Sequence, residues 1–430
     1  MSPVAQRPDV AHPATYGAGV PHVEFARMRR EAPVSWVPEP ALWRRGGGGR
    51  MLSQGSGFWA ATSHEAVVAA SRQPELFSSG RKGAFLPDPR TSADLEQARQ
   101  LLVNMDAPQH SRIRRLVTSV FTPRAVRELH DSVAAHAHEL VRRAVRLEEC
   151  DVVADLAAEL PLLVLADLLG LPREDRHLLY RWSNNLVGFD DPEYGGGDVE
   201  AYRTTFVEAF QYALTVAGER RRSPRDDLMT LLATSEVDGR RLTDREFCSF
   251  WLLLVVAGNE TTRHLISGGV SALLAEPAQR DRLAGDMSLL PTATEELLRW
   301  VTPIMQFRRT ATEDTELCGQ AVAEGDKVVL WYVSANRDGA VFADPDVLRL
   351  DRNPNPHLSF GMGPHFCLGA HLARLEAQAM LRELVPHLAR FEVTGPVVRL
   401  ESNFVNGLKS LPGRFNPDRA AGPDGAWSSC

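Results

Sequence analysis

One helical segment constrains this chain more than anything else in it. Thr243-Asp-Arg-Glu246 has the form of a capping box, in which a threonine and a glutamate three residues later satisfy each other's free amides. Pro277 marks the far end, because proline cannot continue a helix. The roughly 32 residues between them predict a helix about 48 Å long at about 1.5 Å per residue. Its first half includes FWLLLVVAG (Phe250 to Gly258), apolar on nearly every face. A helix of that kind must run through the core of a large domain. The same run is far too short to span a bilayer. In the middle of the helix sits AGNETT (Ala257 to Thr262). A buried Glu260 without a partner costs several kcal/mol or shifts its pKa upward. Two readings stay open: a carboxylate that reaches solvent or a nearby arginine, or a proton-handling acid in a buried cavity.

The rest of the chain supplies enough apolar residues for such a core. It has 430 residues, 44% of them hydrophobic. The net charge of −7 argues against a general nucleic-acid binder, which carries a basic excess. Cys150, Cys248, Cys318, Cys367 and Cys430 are odd in number and form no CxxC pair. Neither a disulfide framework nor a structural zinc site fits, and a reducing cytoplasm does. The N-terminus lacks the basic start and apolar run of a signal peptide, so no membrane insertion is expected.

Residues 1–20 and 418–430 are expected to be loosely ordered tails around one domain, 21–417. Two β-like runs come early, PVSWV (Pro33 to Val37) and GFWAAT (Gly57 to Thr62), with a flexible turn or insertion, RRGGGGRMLSQGSG, between them. From Leu101 to Leu290 apolar residues recur at helical spacing. Shorter β-like runs return between Cys318 and Leu350, such as KVVLWYV (Lys327 to Val333). The pattern predicts a single, mainly α domain with a small β region.

FGMGPHFCLG (Phe360 to Gly369) precedes a helical segment, AHLARLEAQAMLREL. A cysteine just before a helix meets free N–H groups and the positive end of the helix dipole, and both favour thiolate. The glycines let the backbone approach a flat object. A lone cysteine is more often a small buried hydrophobe. His365, Cys367 and His371 do not have structural zinc spacing, and a phosphate loop fails because Phe366 holds the position of the last glycine.

The pattern F-x-x-G-x-x-x-C-x-G, met by Phe360, Gly363, Cys367 and Gly369, resembles the haem-binding signature of the cytochrome P450 family. Four more segments follow that family's order, from about Pro33 to Phe415. AGNETT resembles its oxygen-activation motif. The resemblance implies a groove at Ala257-Gly258 over haem b, Thr261 hydrogen-bonding bound dioxygen and Glu260 relaying protons. A threonine in a helix also commonly bonds back to the carbonyl one turn earlier. EELLR, with Glu296 and Arg299, resembles the start of a buried Glu–Arg–Arg network completed by Arg352, structural rather than chemical. His110, Arg114, Arg309 and His365 match positions that hold the haem propionates, with Arg308 as an alternative to Arg309. ANRDGAVFADPDVLRLDR (Ala335 to Arg352) resembles the stretch before the cysteine loop, with Gly339 where the family often has proline.

The resemblance implies the family's single triangular fold, with Cys367 as the iron ligand, and hydroxylation of C–H bonds using dioxygen. Electrons would come from a ferredoxin and an NAD(P)H-dependent ferredoxin reductase. An acidic ferredoxin would dock near Arg112, Arg115 and Arg374. The pocket wall would include Phe85 and Leu86, then Leu186 and Val187. Val256, Ile304 and Met305, and Phe404 and Val405, would complete it, although each is an ordinary core residue by default. The segments LLLVVAGNETTR and SNFVNGLKSLP most resemble an actinobacterial group acting on sterols, branched lipids and terpenoids. The substrate expected is therefore a bulky lipophile. Three rivals remain: a natural-product tailoring oxidase acting on a terpenoid or polyketide, a haem-thiolate sensor, and a zinc-binding α protein.

Overall fold

The computed structural model describes residues 7–147, 149–237 and 239–416. Six helices and seven strands position the site. The helices are α1 (Gln109–Thr118), α2 (Arg176–Val187), α3 (Val199–Arg222), α4 (Asp244–Ala275), α5 (Leu290–Val301) and α6 (Ala370–Leu388). The strands are β1 (Val34–Val37), β2 (Leu42–Gly46), β3 (Gly49–Ser53), β4 (Phe58–Ala61), β5 (Phe77–Ser78), β6 (Gln306–Ala311) and β7 (Lys327–Trp331).

The long helix α4 forms as the sequence requires. Thr243 accepts from the Glu246 amide, and the Glu246 side chain accepts from the Thr243 amide, closing the capping box. Its two halves serve different cores. Phe247, Trp251 and Val255 pack with Leu165, Trp182 of α2 and Ala213 of α3. Leu265, Ile266, Val270 and Leu273 pack with Leu297 of α5 and with Ala377 and Met380 of α6. A helix buried against two clusters cannot shift along its axis without disturbing both, so its midpoint is fixed in space.

The five-stranded sheet has the order β1-β4-β7-β6-β5. Only the β4–β7 pair is parallel, with Val328 opposite Trp59. Side chains alternate across a strand, so along β6 Phe307 and Arg309 share one face while Arg308 takes the other.

Two expectations are corrected. The segment expected as a loose tail is ordered from residue 7 onward: Val10, Ala11 and Tyr16 are buried in the cluster that holds Phe25, Phe58 and Trp331. The apolar surface of those three residues anchors it. Residues 1–6, and the 418–430 tail, lie outside the described residues. The Gly-rich stretch expected as a flexible insertion is an antiparallel hairpin, β2–β3, with Trp43 opposite Leu52 and Arg45 opposite Arg50. Gly47 and Gly48 close it at φ 59° and 80°, values that favour glycine and match a tight hairpin turn. Among the described residues, no helix is long and apolar enough to cross a membrane.

Candidate active site

The cysteine loop is held from both sides. The Cys367 amide donates to the Phe360 carbonyl at 2.9 Å. Gly363 has φ 70°, and a β-carbon there would sit 2.5 Å from the Ser71 carbonyl oxygen, so only glycine fits. Arg374 lies over the Phe360 ring, 4.5 Å from its centre. At the start of α6 the Gly369 amide donates to the Cys367 sulfur. Burial raises the thiol's pKa, and the Gly369 amide, Arg114 and Arg374 oppose that without overcoming it. The expectation that the helix terminus favours thiolate is therefore only partly met: in the protein alone burial prevails. A coordinated metal ion would reverse the balance, because it deprotonates a bound thiol outright. Cys367 is nevertheless exposed.

Four cationic or potentially cationic groups converge beside this loop. The His110 and His365 rings are 4.4 Å apart. His365 is pushed down to about 2 by burial first and then by Arg309, His110 and Arg114. His110 is lowered by burial and by Arg114, and Asp106 opposes this. Asp106 is already engaged with the Ser79 and Gly80 amides. Arg114 donates to the Phe366 carbonyl at 2.6 Å. No described acidic side chain forms an ion pair with His110, Arg114, Arg309 or His365, and His110 Nε2 is buried with no partner. Two arginines and two neutral imidazoles, with no acidic partner among the described residues, offer N–H donors to an anion, so the cluster fits a ligand with two carboxylates, as the propionates of haem would supply. Arg308 is excluded from that role. It is buried on the opposite face of β6 and paired with Asp88 at 2.8 Å.

Ala257 is exposed although it lies in the middle of buried helix α4. The Thr261 hydroxyl donates to the Ala257 carbonyl at 2.8 Å, the back-bond open to any helical threonine. Glu260 faces protein instead. Its Oε2 accepts from Arg263 and lies 3.2 Å from His264 Nε2. Arg263 reaches α2 through Asn184 Oδ1 at 2.7 Å, and Asn259 reaches Ser183 at 2.7 Å. Burial alone would raise the Glu260 pKa, but Arg263 and His264 outweigh it and hold the carboxyl below its ordinary range. Asn184, Asn259, Arg263 and His264 were not singled out from the sequence. The i, i+3 and i, i+4 spacing of Arg263 and His264 from Glu260 was the available signal.

Beneath the loop, the carboxylate of Glu296 takes Arg299 at 2.7 and 2.8 Å and Arg352 at 3.0 Å. The Arg349 amide and Asn355 complete its shell. Arg299 and Arg352 also donate to the Pro345 and Val347 carbonyls, which fixes the stretch ahead of the cysteine loop.

The expected pocket residues divide. Phe85 and Phe404 meet with ring centres 5.4 Å apart, and Phe307, which the sequence reading did not name, touches both. Ile304 and Val405 face each other across an antiparallel bridge, and the Met305 amide donates to Phe404. Leu86 and Met305 are buried and pack in one cluster with Phe58 and Trp331. Leu186 is partly buried against the cluster around Trp182. Val187 and Val256 are half-buried. Of the expected docking arginines, Arg112 pairs with Glu246 at 2.6 Å and Arg374 with Glu295 at 2.6 Å. Arg115 is exposed and has no acidic partner among the described residues.

Comparison with known proteins agrees with this geometry. Residues 198–409 match the family described as Cytochrome P450. A methyl-branched lipid omega-hydroxylase of Mycobacterium tuberculosis is 42% identical over 90% of this chain and 89% of its own length. A steroid C26-monooxygenase of Rhodococcus jostii is 38% identical over 94% of this chain and 83% of its own. Among solved structures, a Mycobacterium marinum cytochrome P450 in complex with pseudoionone matches with TM-score 0.84 and 41% identity, covering 92% of this chain and 94% of that one.

Proposed function

The chain belongs to the cytochrome P450 family and is a haem b monooxygenase; on that premise we propose that it hydroxylates an unactivated aliphatic carbon of a bulky lipophile, with Cys367 as its iron ligand. The observation that carries the assignment of the site is the exposed Cys367 at the N-terminus of α6, beside the converging side chains of two arginines and two histidines. Bound there, haem supplies dioxygen activation at a thiolate-ligated iron.

The protein's own residues then have separable tasks. His110, Arg114, Arg309 and His365 hold the propionates. Ala257 leaves room for the flat ring. The Thr261 hydroxyl donates its hydrogen bond to the Ala257 carbonyl, which leaves its lone pairs free to accept from a proton-bearing partner. Glu260, kept ionised by Arg263 and His264, is the acceptor from which protons are passed inward. Glu296, Arg299 and Arg352 keep the cysteine loop in place.

The substrate reading rests on the Phe85, Phe307 and Phe404 wall and on the relatives, which are named for methyl-branched lipids and steroids or bind pseudoionone. A sterol, terpenoid or branched lipid is the class proposed here. Electrons are proposed to come from a ferredoxin and its NAD(P)H-dependent reductase, and the cytoplasm is the proposed compartment. The test is a panel of sterols, terpenoids, branched lipids and small aromatics, scored by haem spin shift and product mass. Binding and turnover confined to small polar aromatics would refute the substrate class and leave the family assignment standing.

A further inference from the structure

The β2–β3 hairpin carries a surface that monooxygenation does not use. Side chains two apart on a strand share a face, and directly paired residues sit side by side. Trp43, Arg45, Arg50 and Leu52 therefore form one face of the hairpin, Trp43 opposite Leu52 and Arg45 opposite Arg50. That face is open to solvent: Trp43 is 58% and Leu52 56% exposed. The opposite face is anchored, because Arg44 pairs with Asp190 and lies over the Phe189 ring.

Two features of this face need a partner. Arg50 lies over the Trp43 ring, 5.1 Å from its centre, yet Trp43 and Leu52 stay more than half exposed, and such an apolar pair is unfavourable in water unless something further covers it. Two arginines directly opposite each other repel, and no described acidic side chain pairs with either one or with neighbouring Arg90, which touches Met51. The acidic residues of the adjoining segment are already engaged: Asp190 with Arg44, Asp191 and Glu193 with Lys409, and Glu200 with Arg203. Asp198 caps α3. The net charge of −7 means that the protein as a whole does not favour an anionic surface, so any attraction is local to this face.

We propose that the Trp43–Leu52 and Arg45–Arg50 face docks peripherally on an anionic lipid bilayer, with the arginines at the phosphates and Trp43 and Leu52 among the headgroups. Tryptophan favours that interfacial depth. Basic residues are attracted to the surface potential there. The hairpin rests on the segment that follows Leu186 and Val187, since the Arg45 amide donates to the Gly197 carbonyl. Docking thus places the bilayer next to the chain that leaves α2. The proposal goes beyond the monooxygenase reading and does not depend on it.

The experiment sediments the full-length holoenzyme with vesicles of phosphatidylcholine alone or mixed with phosphatidylglycerol. The holoenzyme should sediment with the mixed vesicles, and less so as salt rises. Replacing each arginine should weaken binding roughly fivefold, so Arg45→Gln with Arg50→Gln should weaken it about 25-fold. Brominated lipid should quench the tryptophan emission of the natural protein, and this quenching should disappear in the conservative Trp43→Phe variant. The ferrous–CO spectrum of every variant should be unchanged. Failure to sediment with mixed vesicles would overturn the proposal. So would binding unaltered by the arginine changes, quenching that survives Trp43→Phe, or a vesicle-free dimer that the hairpin variants dissociate, which would give the face to a second copy.

Discussion

Nε2 of His264 lies 3.2 Å from Oε2 of Glu260, one helical turn away, and both side chains are sealed from solvent. Arg263 joins the same carboxylate and binds Asn184 of α2. The acid of the AGNETT segment is therefore held in a charge network that reaches a second helix. Glu260→Gln is expected to slow product formation with substrate binding intact, and His264→Ala to shift the pH profile of coupling because one of the two groups holding Glu260 ionised is gone. Thr261→Ala should divert electrons into peroxide. NAD(P)H consumption, peroxide and product measured together across pH check all three; full coupling in each variant would remove these residues from proton handling.

The Glu296 network is buried and fully bonded, so breaking it should be expensive. Glu296→Ala strands Arg299 and Arg352, and removing one partner of a buried pair costs about 3–5 kcal/mol. Chemical unfolding monitored by the haem band should show that loss, with low haem content on purification. A variant as stable and as haem-loaded as the natural protein would contradict the structural role.

Glu376 of α6 is buried, and its Oε2 has no hydrogen-bond partner. Burial pushes its pKa up to about 8 from an ordinary value of 4.5. Its folded-state pKa is raised, so between those two values the folded protein keeps a proton that the unfolded chain has released. Stability contributed by this group is present below pH 4.5 and is lost as pH rises towards about 8. Glu376→Gln should remove that decline, so the stability difference between variant and natural protein should widen from pH 4.5 to about 8 and then level off. Parallel stability–pH curves would show that the carboxyl is ionised in the folded protein.

An electron donor docking near the cysteine loop would meet Arg115 rather than Arg112 or Arg374, which are tied to Glu246 and Glu295. Arg115→Glu should slow reduction by an acidic ferredoxin at low salt, and the difference should shrink as salt rises. Stopped-flow reduction rates unchanged at low salt would place the donor elsewhere. Arg112→Glu should instead lower stability, because it puts a second carboxylate against Glu246.

Much of this architecture is legible in the sequence because strong local signals agree with the tertiary structure. The capping box at Thr243 and the apolar first half of α4 fix a helix whose ends match expectation. The glycine pattern around Cys367 announces a close backbone approach, and Gly363 against Ser71 shows why. What was missed depends on partners distant in the chain. Arg112 and Arg374 looked like free surface charges because Glu246 and Glu295 are 134 and 79 residues away. Leu86 and Met305 show the limit of a local reading, because nothing in the sequence distinguishes an apolar side chain in a core from one beside a ligand. Four glycines in a row suggested flexibility, yet Gly47 and Gly48 supply the positive φ values that a tight hairpin needs. Nothing local in the Val10–Tyr16 segment announces its burial in the cluster around Trp331.

The central claim is that Cys367 ligates the haem iron, and the ferrous–CO spectrum tests it most directly. The natural protein should show the thiolate-type Soret band, and Cys367→Ser should lose it, whereas Cys150→Ser, Cys248→Ser and Cys318→Ser should each retain it. A thiolate-type band that persists in Cys367→Ser, or that disappears with one of the other three cysteines, would contradict the account.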